Sequence, residues 1–267
     1  GIGAAKTFSS LVTDNVPNLH LHDIGQCFPL YWYEKLDEKT KAAQSEMFGA
    51  GSTGEQADEH GYIRRDAITD WALTQFREQY ADQAISKEDI FFYVYGVLHS
   101  PEYKQRFASD LKKMLPRVPF TGDFWAFSQA GRELSQWHLG YESVEPYPLD
   151  EQKKGLDLDP ASFYRVKKMA FGKTQGKPDK TLIVYNGHLT LSNVPLEAYD
   201  YVVNGKSAIE WIMERYQLTT DKASGIENDP NAWSSDPRYI VDLLKRIVRV
   251  SLESVRIVND LPALNEQ

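Results

Sequence analysis

The stretch Leu182-Ile183-Val184-Tyr185-Asn186-Gly187-His188-Leu189-Thr190-Leu191 decides the fold class of this 267-residue chain. Two short apolar runs flank an Asn-Gly pair, and Asn-Gly supplies the positive φ angles that a two-residue hairpin turn demands. We therefore predict a β-hairpin at residues 182–191. The sequence on either side of this hairpin has a different periodicity.

Helical spacing of apolar residues dominates before and after the hairpin. Four earlier helices are predicted to begin near Asp66, Ser86, Pro101 and Asp123, the third reaching Leu115 and the fourth Leu139. Phe163–Val166 has the composition of a short strand, Ser207 with Glu210 indicates a capped helix at 208–216, and Asp236-Pro237 precedes a last helix that runs to about Asn259. The predicted fold class is α+β, a helical first part followed by a smaller α/β part with a β-hairpin and a long C-terminal helix.

The same patterns divide the chain into three parts. Residues 1–65 are predicted to form a connecting segment with a mobile loop near 35–62, where the sequence is polar and glycine-rich. Residues 66–150 are predicted to form a helical subdomain. After a linker with prolines and charges, residues 151–267 are predicted to form an α/β subdomain. An aromatic run at 26–33 indicates a buried strand or its edge, with Cys27 buried inside it.

Composition and charge exclude several classes of protein. The chain has 30 Lys and Arg against 38 Asp and Glu, which gives a net charge of −8. Residues 161–267 hold 14 bases and 13 acids, so the negative charge lies almost wholly in residues 1–160. No run of about 18 apolar residues occurs, so no membrane span is predicted. With a single cysteine and no visible secretory leader, a cytoplasmic location is expected.

No constellation of catalytic or metal-binding residues is recognisable. The glycines at 49–54 lack the buried strand before them and the apolar helix after them that a nucleotide-binding loop needs. The six histidines show no metal-ligand spacing, and there is no phosphate-loop signature. We therefore predict no catalytic residue, no metal site and no bound cofactor for this chain.

Several long strings resemble one known family. They lie at 8–11, 18–20, 26–34, 89–101, 115–119, 124–127, 130–131, 201–211, 221–226 and 228–231. Examples are Asp89-Ile90-Phe91-Phe92-Tyr93-Val94-Tyr95-Gly96 and Tyr201-Val202-Val203-Asn204-Gly205-Lys206-Ser207. In this order they resemble the C-terminal target-recognition region of single-polypeptide Type I restriction-modification enzymes, the Type ISP group. The resemblance covers nearly the whole chain apart from the polar loop.

The resemblance implies the role of this chain within a longer polypeptide. Members of the group carry a nuclease, a helicase-like ATPase motor and an adenine methyltransferase before the target-recognition region. By this resemblance residues 1–65 lie on the methyltransferase side and residues 151–267 recognise the target. S-adenosylmethionine, ATP and Mg are then expected in other domains, and this chain alone is not an enzyme. Its expected partners are double-stranded DNA and the methyltransferase and helicase domains, and the isolated chain is expected to be monomeric.

Residue chemistry within this framework predicts the contacts with DNA. Lys and Arg bind phosphates, whereas amides and hydroxyls in the grooves discriminate bases. The predicted phosphate contacts lie in a loop at 172–180, and they are Lys173, Lys177 and Lys180. The predicted base contacts lie at the hairpin tip and in a loop at 219–235, and they are Asn186, His188, Lys222, Asn228 and Asn231.

Structural roles remain open for the same residues. Asn186 has the identity that a hairpin turn favours, and Asn228 and Asn231 can cap or turn a loop beside Pro230. The basic stretch at 165–180 also suits a solvated edge strand that lysines keep soluble. At the level of function, the alternative to a DNA reader is a scaffold that couples the methyltransferase to the motor without contacting bases.

Overall fold

A computed structural model describes residues 8–17, 26–35, 57–113, 115–155 and 158–265 of the chain. Most of the loop predicted near 35–62 lies outside the described residues. Seven α-helices are present in the described part: α1 Asp70–Tyr80, α2 Lys87–His99, α3 Pro101–Arg106, α4 Phe124–Leu139, α5 Pro160–Tyr164, α6 Ala208–Arg215 and α7 Tyr239–Asn259. None of these helices is long and apolar enough to cross a membrane.

The strands of the described residues form small antiparallel sheets. Their bounds are β1 Tyr31–Lys35, β2 Tyr62–Asp66, β3 Asp150–Lys153, β4 Ala170–Thr174, β5 Lys177–Val184, β6 Leu189–Ser192, β7 Val202–Val203, β8 Lys206–Ser207, β9 Thr219–Thr220 and β10 Glu227–Asn228. The main sheet has the order β3-β6-β5-β4, and three two-stranded ladders pair β1 with β2, β7 with β8 and β9 with β10. The predicted α+β class is confirmed.

Close approach of two helices organises the helical part. α2 and α4 meet where Gly96 faces the backbone of Phe127 and Gly131 faces the backbone of Phe92. A Cβ on Gly131 would lie 1.9 Å from the Phe92 carbonyl oxygen, so only glycine fits this crossing. Beside it a core of buried aromatic and aliphatic residues includes Tyr93.

A second core lies between the main sheet and the long helix α7. It contains buried residues from β5 and β6, the helix α6 and the first half of α7, for example Ile183, Leu191, Ile209, Leu244 and Val248. The second half of α7 instead packs on the helical part, where Ile257 contacts Tyr95 and Leu134, and Leu264 beyond the helix enters the helical core. One continuous helix therefore ties the two cores together, and the three-part division of the chain stays a prediction.

Several predicted elements differ from the structure. Asp66 ends the strand β2 and does not cap α1, whose N-cap is Thr69. The helix that begins at Pro101 ends at Arg106, well before Leu115, and 160–164 is a short helix where we predicted a strand at 163–166. The residues of β1, one strand of the two-stranded ladder β1–β2, are mostly exposed. Cys27 is exposed as well, so the prediction that it is buried was wrong.

Candidate nucleic-acid interface

The first basic segment forms a hairpin, so the prediction of a loop at 172–180 was wrong. β4 and β5 pair antiparallel with Thr174 opposite Lys177, and Gln175 and Gly176 form the turn between them. Both turn residues have positive φ, of 52° and 80°, which suits a two-residue turn. Lys173 and Lys177 are exposed beside this tip, and within the described residues neither ammonium group forms an ion pair.

Lys180 lies on the same hairpin and has partners within the chain. Its Nζ lies 3.3 Å from the carboxylate of Glu210 and over the rings of Tyr199 and Phe171, at 5.0 and 5.4 Å from their centroids. The positive charge is thereby held against α6 and the core side of the hairpin. Binding a phosphate at Lys180 would compete with these contacts.

Asn186 uses its side chain to build the tip between β5 and β6. Its Oδ1 accepts hydrogen bonds from the backbone N–H groups of His188 and Leu189, both at 2.8 Å. Its Nδ2 donates to the carbonyls of Phe163 at 2.8 Å and Arg165 at 3.1 Å. Neither Asn186 nor Gly187 has a positive φ, so the predicted two-residue turn was wrong. The hairpin itself is confirmed, and all four hydrogen-bonding positions of this amide are filled.

His188 packs inward from the same tip. Its ring centroid lies 5.9 Å from that of Phe163, and its backbone carbonyl accepts from Lys154 at 2.8 Å. A Cβ on Gly155 would lie 3.3 Å from His188 Nδ1, so the imidazole borders the segment that follows β3. The side chain is half-buried by these neighbours.

The second predicted loop contains another hairpin. β9 and β10 pair Thr220 with Glu227 and Thr219 with Asn228. At the tip, Asp221 Oδ1 accepts from the backbone of Ala223 and Ser224 at 3.1 and 2.7 Å. These bonds order a tip whose residues 221–228 are all exposed, Lys222 and Asn228 among them. Ile226 is 68% exposed, and the sequence alone gave no sign of this apolar tip.

Asn231 holds the base of this second hairpin. Its Oδ1 accepts from Val166 N–H at 2.9 Å, and its Nδ2 donates to the Val166 carbonyl at 2.8 Å and to Asp229 Oδ1 at 2.6 Å. Asp229 in turn pairs with Arg165 at 2.6 Å. The amide of Asn231 therefore bonds a single residue's N–H and C=O, as a neighbouring strand would.

Local donors also keep the acids of these hairpins ionised. Hydrogen bonds from Thr174 and Thr181 lower the pKa of Asp179, and those from Ser224 lower the pKa of Asp221. The Asn231 amide, with Arg165, lowers the pKa of Asp229. Within the described residues no three His, Cys, Asp or Glu side chains are grouped so that they could hold a metal.

The structure thus divides the eight predicted contact residues into two groups. Four are exposed, and no hydrogen bond or ion pair of their side chains is found within the described residues: Lys173, Lys177, Lys222 and Asn228. Four have partners in the chain: Lys180, Asn186, His188 and Asn231. Contact of any of the eight with DNA stays a prediction.

Comparison with known proteins places the chain in a family. Residues 1–243 match the Type ISP C-terminal specificity domain. No curated protein matches the chain.

The solved structures that are similar to it include three complexes with DNA or a DNA mimic. The ATP-dependent Type ISP restriction-modification enzyme LlaBIII bound to DNA shares 34% identity at a TM-score of 0.78, over 98% of this chain and 15% of the other. A nuclease-deletion mutant of the Type ISP enzyme LlaGI with a DNA substrate mimic shares 40% identity at 0.63, over 76% of this chain and 14% of the other. A DrdV–DNA complex shares 34% identity at 0.76, over 97% of this chain and 24% of the other.

The chain therefore spans less than a quarter of the length of each of these structures. The resemblance that the sequence shows along most of its length is confirmed by both the family match and the shared fold. The chain belongs to the Type ISP C-terminal specificity domain family and is a target-recognition domain of that restriction-modification group.

Proposed function

We propose that this chain binds double-stranded DNA and reads its target sequence through the hairpins β4–β5 and β9–β10. The observation that carries this proposal is that both hairpins present exposed lysines without intramolecular partners in the described residues. The similar LlaBIII structure, which covers 98% of this chain, is bound to DNA. A two-stranded ribbon fits the major groove of B-DNA, so either hairpin has a shape that can reach base edges.

Each exposed residue has a role that follows from its chemistry. Lys173 and Lys177 beside the first tip contact phosphates and set register and orientation. Lys222 at the second tip can donate to base edges. Asn228 can form two hydrogen bonds with an adenine edge, one through the oxygen and one through the nitrogen of its side-chain amide. Lys180 contributes through Glu210 to the position of the hairpin, because its charge is already compensated.

Charge explains why this chain would need the rest of an enzyme to hold DNA firmly. Residues 161–267 are almost neutral, with 14 bases and 13 acids. Affinity for DNA rises with the number of phosphates that a protein neutralises, and it falls steeply with salt. We therefore propose weak and salt-sensitive binding by the isolated chain, with most phosphate contacts made by other domains.

The test is a charge reversal at the first tip. In the complete protein that carries this chain, Lys173→Glu with Lys177→Glu should weaken binding to duplex DNA about tenfold or more. The slope of the logarithm of the binding constant against the logarithm of the salt concentration should become shallower by about 2. Lys112→Glu with Lys113→Glu, an equal charge change in the helical part, is the matched control. Full affinity in the first variant, measured by gel shift at several salt concentrations, would contradict the assignment of the tip.

The remaining activities are proposed for the polypeptide as a whole. A chain of this family would act beside an adenine methyltransferase and a helicase-nuclease, which hold S-adenosylmethionine, ATP and Mg, while this domain is itself monomeric, free of catalytic residues and cytoplasmic. Turnover of S-adenosylmethionine or ATP by the isolated chain would overturn this division of labour.

A coupling role is the second candidate function, for the first part of the chain. The ladder β1–β2 has an exposed aromatic side chain on each face, because Trp32, 48% exposed, and Tyr33, 59% exposed, are neighbours in one strand. Residues 1–160 carry the negative charge. Such a surface suits a neighbouring protein domain better than a phosphate backbone. Exchanging residues 155–267 between two relatives with different DNA targets separates the roles. If each protein kept its own target sequence after the exchange, residues 155–267 would not be the part that reads the target.

A further inference from the structure

The segment 163–167, which we call the strap, has its backbone bonded by residues from both sides. Five consecutive carbonyls accept hydrogen bonds, from Asn186 Nδ2 to Phe163, Tyr185 O–H to Tyr164, Asn186 Nδ2 to Arg165, Asn231 Nδ2 to Val166 and Leu218 N–H to Lys167, at 2.8 to 3.1 Å. Only Leu218 uses its backbone for this. The strap begins in the last residues of α5 and continues as extended backbone at Arg165, and its carbonyls are bonded mostly by side chains.

The strap also lies between the elements that the proposed function uses. On one side it is bonded by Tyr185 and Asn186 at the end of β5, and it leads directly into β4. On the other side it is bonded by Leu218, the residue before β9, and by Asn231, three residues after the end of β10. A displacement of the second hairpin relative to the first must therefore break bonds to the strap.

Asn231 is the residue that fixes this arrangement most directly. It bonds both the N–H and the carbonyl of Val166, a residue whose side chain is fully buried in the core. Its remaining donor is taken by Asp229, which the pair with Arg165 ties back to the strap. Buried backbone groups require partners, so this bonding anchors the hairpin to the core. Both donors of Nδ2 are occupied, and none is left for a base edge.

We propose that Asn231 is a positioning residue for target readout, one that sets the β9–β10 hairpin at a fixed distance from the β4–β5 hairpin by bonding the strap. This rests on the proposed function, since it assumes that both hairpins contact DNA. Sequence discrimination depends on placing donors and acceptors against several base pairs at once, so a loosened hairpin loses discrimination at every position it reads. Substitution of a residue that contacts one base should reduce discrimination at that base alone.

The experiment compares Asn231→Ala with Asn228→Ala in the complete protein that carries this chain. The probe is a pool of DNA duplexes with a randomised centre, from which each protein selects its preferred sequences. We expect N231A to lower the preference for selected over unrelated duplex about tenfold, across several adjacent base pairs, with little change in affinity for unrelated duplex. N228A should relax the preference at a single position.

Hydrogen exchange gives a second readout of the same bond. In N231A the Val166 amide, which donates to Asn231 Oδ1 in the native chain, should exchange faster, while the amides of β5 and β6 keep their protection. If N231A does not fold, the isosteric Asn231→Asp takes its place. It keeps the acceptor for Val166 N–H and removes both Nδ2 donors, to the Val166 carbonyl and to Asp229, so it is judged by the sequence selection alone.

The outcomes separate this inference from the function on which it rests. A native protein that selects no sequence overturns the proposed function and the inference with it. A native protein that selects a sequence, beside an Asn231 variant that selects the same sequence equally well, overturns the inference alone. So does a variant whose preference changes at one base pair only, because that pattern marks a direct contact.

Discussion

The helical part and the α/β part satisfy their backbones in different ways. In α2 and α4 the backbone groups between the helix ends are bonded inside their own helix, and the two helices meet through Gly96 and Gly131. In the α/β part the ladders are short, and side chains such as Asn186 and Asn231 bond the backbone between them. The first part therefore depends on the fit of its surfaces, and the second on a few polar side chains.

This difference suits two requirements, a fixed framework and a surface that can vary in sequence. A helix crossing without space for a Cβ gives one fixed geometry and tolerates little change. Short hairpins held at their bases, as β9–β10 is held by Asn231, leave their tips free to vary in sequence without repacking a core. We expect the surface that recognises a target to be of the second kind, because specificity must change between relatives while the fold is kept.

The largest expected effect is at the helix crossing. Gly131→Ala places a methyl group 1.9 Å from the Phe92 carbonyl oxygen, so α2 and α4 must separate. We expect the free energy of unfolding to fall by about 3 kcal/mol. Gly187→Ala at the tip between β5 and β6 is the control, because a Cβ there meets nothing within 4 Å. Urea unfolding of both variants measures the difference, and equal stabilities would contradict the role of the crossing.

Acid should loosen the helical part first. Burial lowers the pKa of His99 to about 3, with His138 and Lys104 as further causes, and burial lowers that of His138 to about 4, both from 6.5. His138 Nδ1 accepts from the Tyr95 hydroxyl at 2.7 Å, and its Nε2–H donates at 2.9 Å to Ser254 Oγ, which itself donates to Val250. Protonation of Nδ1 would remove the acceptor that Tyr95 uses.

The sign of this dependence follows from the lowered pKa values. Below pH 6.5 the unfolded chain binds protons at these histidines and the folded chain does not, so the free energy of unfolding falls as the pH drops from 6.5 towards 4. We expect a loss of about 2–3 kcal/mol for each histidine over this range. His138→Gln should flatten the slope in a urea series at several pH values. An unchanged slope would show that His138 does not contribute to it.

The α/β part should respond to acid in a lower window. Glu151 on β3 bonds Arg238 at 2.7 Å, Lys245 at 3.0 Å and Lys153 at 3.1 Å, and these partners, Arg238 foremost, lower its pKa from 4.5 to about 2. Stability from this group is complete above pH 4.5 and is lost as the pH falls towards 2, because only the unfolded chain takes up a proton there.

Removing the Glu151 charge tests this ion network. We expect Glu151→Gln to lower the free energy of unfolding at neutral pH by about 1–2 kcal/mol, since Arg238 and Lys245 lose a partly buried partner. The variant should also lose less stability between pH 4.5 and 2 than the native chain. Glu197→Gln, at an exposed position, is the control. A neutral effect of E151Q would mean that the network contributes nothing net.

The comparison of the two parts also explains what the sequence can predict. Capping boxes at Ser86 and Ser207 act within four residues, and both helices begin there as predicted. The prediction of a two-residue turn at Asn186 failed because Asn can form a turn either by adopting a positive φ or by bonding the backbone with its side chain. The choice depends on the strap, which lies more than twenty residues earlier. Lys180 has the same difficulty, since Glu210 comes thirty residues later.

The smallest expected effect on stability is at the first tip. Lys173→Gln with Lys177→Gln removes two exposed charges that form no ion pair within the described residues, so we expect the free energy of unfolding to change by no more than about 0.5 kcal/mol. Lys180→Gln should cost more, because it removes the contacts with Glu210 and with the rings of Phe171 and Tyr199. DNA affinity should show the opposite order, with the tip pair having the larger effect. If Lys180→Gln instead weakened DNA binding more than the tip pair while leaving stability unchanged, the hairpin would meet DNA through its base, and the division between supporting and contacting residues would have to be redrawn.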